Sequence, residues 1–179
     1  MTLRSSIRNF DSHITSWVNN LFSHDTWRTI FPVITTLGDP ITVILITAGI
    51  IGVGVYHGSV RIVLAGVGIP VTVGIGAIIK LLFERARPVS EYSANLGTFS
   101  FPSGHSSGSM IAFGLLAYFA FMKLPGPWGF VAAGILLLVP IAVGISRIYL
   151  GAHYPSDVVA GWLLGIIGLL IIIFGIRPL

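Results

Sequence analysis

Five long segments without Asp, Glu, Lys or Arg are the feature that most constrains how this chain can fold. They are residues 40–56, 62–79, 106–122, 124–146 and 158–176. A helix needs about 20 mostly apolar residues to cross the hydrocarbon core of a bilayer, and each segment reaches that length with its flanks. Because backbone polar groups in lipid must pair within the chain, each segment is predicted to be a helix.

The composition agrees with a membrane protein, since 54% of the residues are apolar and only 9% are charged, against about a quarter charged in soluble domains. The fold class expected is therefore all-α: a polytopic membrane helix bundle forming a single domain, 1–179. Its five spans are predicted near 39–57, 60–80, 104–122, 127–147 and 156–176. The absence of cysteine excludes a disulfide framework. No basic run accompanies the net charge of +4, so no nucleic-acid partner is expected.

Residues 1–37 have a different pattern, in which apolar side chains recur at helical spacing between polar ones. The apolar positions are Ile7, Phe10, Ile14, Trp17, Val18 and Leu21. This pattern predicts an amphipathic helix that lies at the membrane interface, with a partly disordered leader as the alternative. A second interfacial helix is predicted over Thr26–Leu37, ending at the stop-and-restart signal Gly38-Asp39-Pro40.

Five spans place the connections 80–105 and 147–153 on one face of the membrane, together with the segment 1–37. The opposite face then holds Arg61, Lys123 and Arg177. The positive-inside rule would make that opposite face cytoplasmic. Three arginines within residues 4–28 count against this orientation, because they lie on the other face.

Three cations stand at or just beyond the ends of apolar spans on one face: Lys80, Arg87 and Arg147. Charge beside hydrocarbon is costly and usually functional, and three converging cations repel one another unless an anion lies between them. The arginine fork suits phosphate, and lysine adds a compact charge. Snorkelling toward water accounts for any one of them, but less well for all three. The pattern therefore predicts a phosphate site.

The stretch Pro102-Ser103-Gly104 precedes the span that starts near residue 104. Ser103 is a good helix N-cap, and Gly104 permits close approach of the backbone. Free N–H groups and the dipole at a helix start form an anion site. A simple cap is the alternative interpretation, and Ser103 is expected to cap the helix in either case. His105 then lies in the first turn and faces the same compartment.

His153 and Asp157 are four residues apart, which would place them on one helix face, with Pro155 near the helix start. Asp157 can accept a hydrogen bond from one ring nitrogen of His153. That bond would fix the tautomer and leave the other nitrogen as a nucleophile. A lone histidine is more often a passive interfacial residue, but a carboxylate partner favours a catalytic role.

Together these residues predict a two-histidine phosphoryl transfer. His153 attacks phosphorus and His105 protonates the leaving oxygen, while the three cations and the Ser103/Gly104 region stabilise the phosphate oxygens. Because the sequence shows no carboxylate cluster suited to magnesium, neither a metal nor another cofactor is expected. The partners expected are a lipid phosphate substrate and the bilayer.

These residues also carry a family resemblance. The motifs are Lys80-x6-Arg87-Pro88, Pro102-Ser103-Gly104-His105 and Ser146-Arg147-x5-His153-x3-Asp157. They resemble the three signature motifs of the type 2 phosphatidic acid phosphatase superfamily, which includes soluble vanadium haloperoxidases, and they occur in the family's order.

The resemblance implies a metal-independent lipid phosphatase in the bacterial plasma membrane, with its site on the extracytoplasmic face. It also implies the roles given above for the two histidines, Asp157 and the three cations. Candidate substrates are phosphatidylglycerol phosphate, phosphatidic acid and undecaprenyl pyrophosphate. Many bacterial members have six spans, whereas five are expected here.

Three other interpretations remain open. The run Gly104–Gly108 matches the G-x-S-x-G elbow of serine lipases, which would make Ser106 the nucleophile, but that elbow needs a strand, a turn and a helix. Buried charges also line transport pathways. A phosphotransferase would use the same site with an acceptor other than water. Glu84 and Arg85, at positions that the family leaves variable, are interpreted as a surface pair, with a gating or head-group role as the alternative. Tyr92 is interpreted as a loop residue facing the head group or water.

Overall fold

The computed structural model describes residues 3–176, and within that range it contains seven α-helices and no strand. The helices are α1 Leu3–Leu21, α2 Thr26–Thr36, α3 Pro40–Tyr56, α4 Val60–Phe83, α5 Gly104–Lys123, α6 Pro127–Tyr149 and α7 Pro155–Ile176. A short 3₁₀ turn, Ser93–Asn95, lies in the long connection between α4 and α5. The predicted all-α class is confirmed, and the five long helices begin and end within a few residues of the predicted spans.

Five helical stretches of the described chain are long and apolar enough to cross a membrane: Thr26–Tyr56, Val60–Phe83, Gly104–Lys123, Pro127–Tyr149 and Pro155–Gly175. Many of their large apolar side chains point outward, and Ile41 and Leu82 are each more than 70% exposed. Such a continuous apolar surface is stable in lipid and not in water. The chain is therefore an integral membrane protein.

The N-terminal segment forms the two helices predicted from its periodicity. α2 ends at Thr36 and α3 begins at Pro40, where the proline takes the first helical position, for which its missing N–H and fixed φ suit it. α1 and α2 pack against the later helices, chiefly α6 and α7. Their location at the membrane interface stays a prediction. Arg177, predicted on the opposite face, lies outside the described residues.

α5 is the central helix and packs against α3, α4, α6 and α7. Glycines on α7 allow the closest of these contacts. A Cβ atom on Gly161 would lie 2.6 Å from the carbonyl oxygen of Ser103, and one on Gly165 would lie 2.8 Å from that of Ser107. Small residues bring membrane helices together where larger side chains would separate them. The start of α5 is thereby held against the first turns of α7.

The up-and-down order of the long helices brings five helix ends to one face of the bundle. These are the starts of α3, α5 and α7 and the ends of α4 and α6. The connection 84–103 crosses the same face, and α1 and α2 pack beside it. All the predicted site residues therefore lie at one end of the bundle.

Candidate active site

The turn between α6 and α7 positions His153 and Asp157. α7 begins at Pro155, so the prediction that both residues share one helix face is wrong: His153 lies in the turn before the helix. Asp157 is the third helical residue, and its Oδ2 accepts a hydrogen bond from the Tyr154 N–H at 2.9 Å. This is half of a capping box, in which an N3 side chain caps a free N–H at the helix start.

His153 is almost fully buried, at 3% exposure. Its Nε2 lies 3.1 Å from Arg87 Nη1. Because a guanidinium only donates hydrogen bonds, Nε2 is the acceptor and the ring proton belongs on Nδ1. Nδ1 lies 3.7 Å from Asp157 Oδ2, which is beyond hydrogen-bonding distance. The predicted bond is therefore absent from the described structure, in which the Tyr154 N–H and Arg85 hold the Asp157 carboxylate and His153 Nδ1 has no hydrogen-bond partner.

The environment of His153 favours its neutral form. Burial is the main reason why the pKa of His153 falls to about 4. Asp157 opposes this shift, while Arg147, Arg87 and Lys80 add to it. The ring therefore carries no charge at neutral pH, and its Nε2 keeps a lone pair, which accepts from Arg87 Nη1 in this structure.

Arg87 is held rigidly beside this lone pair. Its Nε and Nη2 donate to the carbonyl and hydroxyl oxygens of Thr98 at 2.7 and 2.9 Å, and its Nη1 donates to Ala152 O at 2.8 Å. Burial lowers the pKa of Arg87, but a guanidinium stays protonated in proteins. Arg87 is therefore a fixed cation next to the candidate nucleophile.

The other two predicted cations lie in the last turns of helices that end at this face. Arg147, in α6, is 1% exposed and donates from Nη1 to Thr35 Oγ1 at 2.9 Å and to the Tyr92 hydroxyl at 3.2 Å. Its Nε has no hydrogen-bond partner among the described residues. Lys80, in α4, lies within electrostatic range of Arg87, Arg147 and Asp157. A buried guanidinium with a free donor is suited to an anion.

Ser103 is the N-cap of α5, as predicted, since its Oγ accepts from the Ser106 N–H. Its own N–H donates to the carbonyl of Asp157 at 3.0 Å, which ties the start of α5 to α7. A Cβ atom on Gly104 would meet no protein atom within 4 Å, so the space beside it is open. The predicted anion site at this helix start stays a prediction.

His105 has a partner that the sequence did not reveal. Its Nε2 lies 2.7 Å from Asp39 Oδ1, and Asp39 immediately precedes α3. The ring is also within electrostatic range of Arg147 and Lys80. The structure thus brings all eight predicted site residues to one end of the bundle.

Sequence reasoning missed four further residues of the cluster: Thr35 and Tyr92, which bind Arg147, Arg85, which binds Asp157, and Asp11, which binds Arg85. Tyr92 was noted only as a loop residue. The interpretation of Arg85 as a surface partner of Glu84 is wrong, because Arg85 binds two buried carboxylates from other elements. For Asp11, the signal in the sequence was an aspartate within an amphipathic helix. For Arg85, it was an arginine two residues before Arg87.

Ser106 does not have the surroundings of a serine nucleophile. It lies inside α5, fully buried, and its Oγ donates to Ser103 Oγ at 2.9 Å. The strand required by a nucleophile elbow does not occur among residues 3–176. The local structure therefore disfavours the serine-lipase alternative.

A cavity of about 1220 Å³ opens beside His153. α1 forms one wall, and the connection 84–103 with the turn before α7 forms the other. The lining combines apolar side chains such as Phe83 and Phe101 with the polar groups of Arg8 and Arg85. Of the predicted catalytic residues and cations, His153 lines this cavity, whereas Lys80, Arg87, Arg147 and His105 do not.

A sequence model of the PAP2 superfamily matches residues 61–177, which include all three motif stretches described above. The chain belongs to the PAP2 superfamily. The matched region begins within α4, so α1, α2 and α3 lie outside it.

Individual relatives agree with this membership. The chain is 36% identical over 95 residues to phosphatidylglycerophosphatase B of Bacillus subtilis, an alignment that covers 50% of this chain and 45% of that one. It is 38% identical over 105 residues to decaprenylphosphoryl-5-phosphoribose phosphatase of Mycobacterium tuberculosis, covering 56% and 53% of the two chains. The chain thus spans about half the length of the curated relatives that it matches.

A solved structure extends the similarity to nearly the whole fold of this PAP2 chain. The transmembrane PAP2 type phosphatidylglycerolphosphate phosphatase of Bacillus subtilis superposes with a TM-score of 0.79 at 26% sequence identity. That superposition covers 95% of this chain and 86% of the other. The arrangement of helices described above is therefore that of a transmembrane PAP2 protein.

Proposed function

We propose that this chain hydrolyses a phosphate monoester or pyrophosphate of a membrane lipid, without a metal, through a phosphohistidine on His153. The observation that carries the proposal is the convergence of a neutral, buried histidine with three cations at one end of a membrane bundle. Asp157, Asp11 and Asp39, the carboxylates of this cluster, already have partners in Arg85 and His105. The remaining positive charge suits a phosphate group.

In the proposed reaction, a phosphate oxygen replaces His153 Nε2 as an acceptor for Arg87 Nη1, which frees the Nε2 lone pair. Nε2 then attacks phosphorus in line and the bond from phosphorus to the leaving oxygen breaks. Lys80, Arg87 and Arg147 stabilise charge on the equatorial oxygens. The Nδ1 proton faces Asp157, which stabilises the charge that develops on the ring.

His105 supplies the proton that the leaving oxygen needs, and Asp39 stabilises the protonated ring before that transfer. His105 then takes a proton from the water that attacks the phosphohistidine, the phosphorus–nitrogen bond breaks, and phosphate leaves. Donation followed by acceptance returns His105 to its starting state. General acid–base catalysis of this kind contributes roughly 10²–10⁴ in rate.

The relatives favour lipid substrates, since two of them are phosphatases of a phospholipid phosphate and of a polyprenyl-linked phosphate. We propose phosphatidylglycerol phosphate, phosphatidic acid and undecaprenyl pyrophosphate as candidates. The lipid tail would enter laterally from the bilayer, with the phosphate among Lys80, Arg87 and Arg147.

Phosphate release by the purified protein in detergent, with EDTA present, tests this function across the three lipids. His153→Ala should abolish turnover, whereas His57→Ala, on the opposite face, should not. Rapid quenching with a ³²P-labelled lipid should trap label that is stable to alkali and labile to acid, as a phosphohistidine is. Normal turnover by His153→Ala would reject the mechanism, and transfer of label to an added alcohol in preference to water would identify a phosphotransferase.

We further propose that the site faces the extracytoplasmic side of a bacterial plasma membrane. The chain contains no cysteine, so single cysteines report orientation without background. In intact cells a membrane-impermeant maleimide should label Ser23→Cys, on the site face, and should reach His57→Cys only after permeabilisation. The reverse pattern would place the site in the cytoplasm.

A further inference from the structure

Arg85 connects two buried carboxylates that come from different helices. Its Nη1 donates to Asp157 Oδ1 at 2.6 Å, and its Nη2 donates to Asp11 Oδ2 at 2.7 Å. The side chains of Asp157 and Asp11 are 0% and 5% exposed. Buried carboxylates are costly unless a cation or several donors satisfy them. One guanidinium satisfies both here.

Asp11 belongs to α1 but occupies the N-terminus of α7. Its Oδ1 accepts from the Ser156 N–H at 2.8 Å, and its Oδ2 accepts from the Ser156 hydroxyl at 3.0 Å. The positive end of the helix dipole favours a carboxylate in this position. Asp11 therefore attaches α1 to the turn that carries His153, and it holds the Arg85 fork at the same time.

The orientation of Asp157 depends on this arrangement. Arg85 holds Oδ1, the Tyr154 N–H holds Oδ2, and Oδ2 is consequently the oxygen that faces His153 Nδ1. Arg85 also stacks over the Tyr154 ring, 4.2 Å from its centroid. Without Arg85, Asp157 Oδ1 would lose its cation in a fully buried place, and the carboxylate would rotate to find another donor.

We propose that Arg85 is a positioning residue for Asp157, that Asp11 positions Arg85, and that α1 is therefore part of the active site. This inference rests on the proposed phosphohistidine mechanism, in which Asp157 stabilises the charge that develops on the His153 ring. Asp11 lies outside the region matched to the PAP2 superfamily, so it belongs to none of the three motifs.

Asp11→Asn and Arg85→Lys are the informative variants, because each keeps the size or charge of the side chain and loses part of the hydrogen-bonding geometry. Each should lower kcat by about ten- to a hundredfold, the effect of a small misplacement of reacting groups, with little change in KM. Asp25→Asn is the matched control, since that carboxylate is exposed on the same face and forms an exposed ion pair with Arg28. It should leave both constants unchanged.

Double variants that combine Arg85→Lys or Asp11→Asn with Asp157→Asn distinguish a positioning role from a general contribution to the stability of the fold. If Arg85 and Asp11 act through Asp157, neither substitution should lower kcat further in the Asp157→Asn background. Equal losses in both backgrounds would overturn the proposal. The proposed function is checked separately by the single variant His153→Ala, and turnover by that variant would reject the mechanism. If His153→Ala is inactive but the Arg85 and Asp157 substitutions lower kcat additively, only the role of Arg85 is rejected.

Chemical rescue decides the question if turnover by Asp157→Asn is too slow to measure. Arg85 lines the cavity, so a free guanidinium ion can reach the place of the missing side chain. Guanidine hydrochloride at low concentration should restore kcat of Arg85→Gly, whereas the same concentration of sodium chloride should not. No recovery at any subdenaturing concentration would overturn the proposal.

Discussion

His105 Nε2 lies 2.7 Å from Asp39 Oδ1, which joins the first turn of α5 to the residue before α3. The Asp39 side chain does not cap the N-terminus of α3, and its carboxylate is hydrogen-bonded to the histidine instead. A carboxylate at this distance stabilises the protonated ring. We propose that Asp39 keeps His105 able to donate a proton although Arg147 and Lys80 lie nearby.

Asp39→Asn should slow the hydrolysis of a lipid phosphate. Asparagine keeps the shape of the side chain and is an equally good residue before a helix, but it lacks the negative charge that stabilises protonated His105. We expect kcat to fall by about tenfold or more, part of the usual contribution of a general acid. Asp25→Asn, an exposed aspartate on the same face, is the control. Unchanged kcat for Asp39→Asn would show that the pair has no role in proton transfer.

His105→Ala should show a loss that depends on the leaving group. With an alkyl lipid phosphate, whose leaving oxygen needs a proton, kcat should fall by roughly 10²–10⁴. With p-nitrophenyl phosphate the leaving oxygen is already stable as an anion, so the loss should be much smaller. The same loss with both substrates would assign His105 to phosphate binding and not to proton transfer. Phosphate release and p-nitrophenol absorbance give the two rates.

Short stretches of sequence were enough to predict much of the fold and to single out the motif residues. The charge-free segments define the five long helices, because a long apolar helix has few alternatives in lipid. Ser103 as an N-cap and Pro155 at the start of α7 follow from rules that depend on neighbouring residues only. The grouping at one face follows from the number of spans.

Contacts between distant residues could not be predicted in this way. Asp39 and His105 are 66 positions apart, and Asp11 and Arg85 are 74 apart. Their pairing depends on how α1 and α3 pack against the bundle, which periodicity does not encode. The distance between His153 and Asp157 could not be predicted either, since Arg85 and the Tyr154 N–H hold the Asp157 carboxylate with its Oδ2 3.7 Å from His153 Nδ1.

The acid limb of kcat/KM should lie near pH 4, because the nucleophile must be neutral and burial lowers the pKa of His153 to about 4. An exposed histidine would give a limb near its unperturbed value of about 6.5. Since the folded pKa is the lower one, the neutral and active form persists as pH falls from 6.5 toward 4 and is lost below that. A phosphate monoester itself titrates near pH 6. A substrate whose phosphate has a different pKa should shift the limb that reports the substrate. The limb that reports His153 should stay in place.

The close packing of α5 on α7 should be intolerant of even one methyl group at Gly161. A Cβ there would lie 2.6 Å from the carbonyl oxygen of Ser103 and 2.9 Å from Ser106 Cβ, and a backbone carbonyl cannot move aside as a flexible side chain can. Gly161→Ala should therefore push the start of α5 away from α7 and destabilise the fold by about 1–3 kcal/mol. It should also lower phosphate release, because the backbone hydrogen bond from Ser103 N–H to Asp157 O lies at that contact. Gly134→Ala is the matched control, since a Cβ on Gly134 in α6 would meet nothing within 4 Å. Melting temperatures of the two variants in the same detergent measure the difference, and equal values would refute the packing argument.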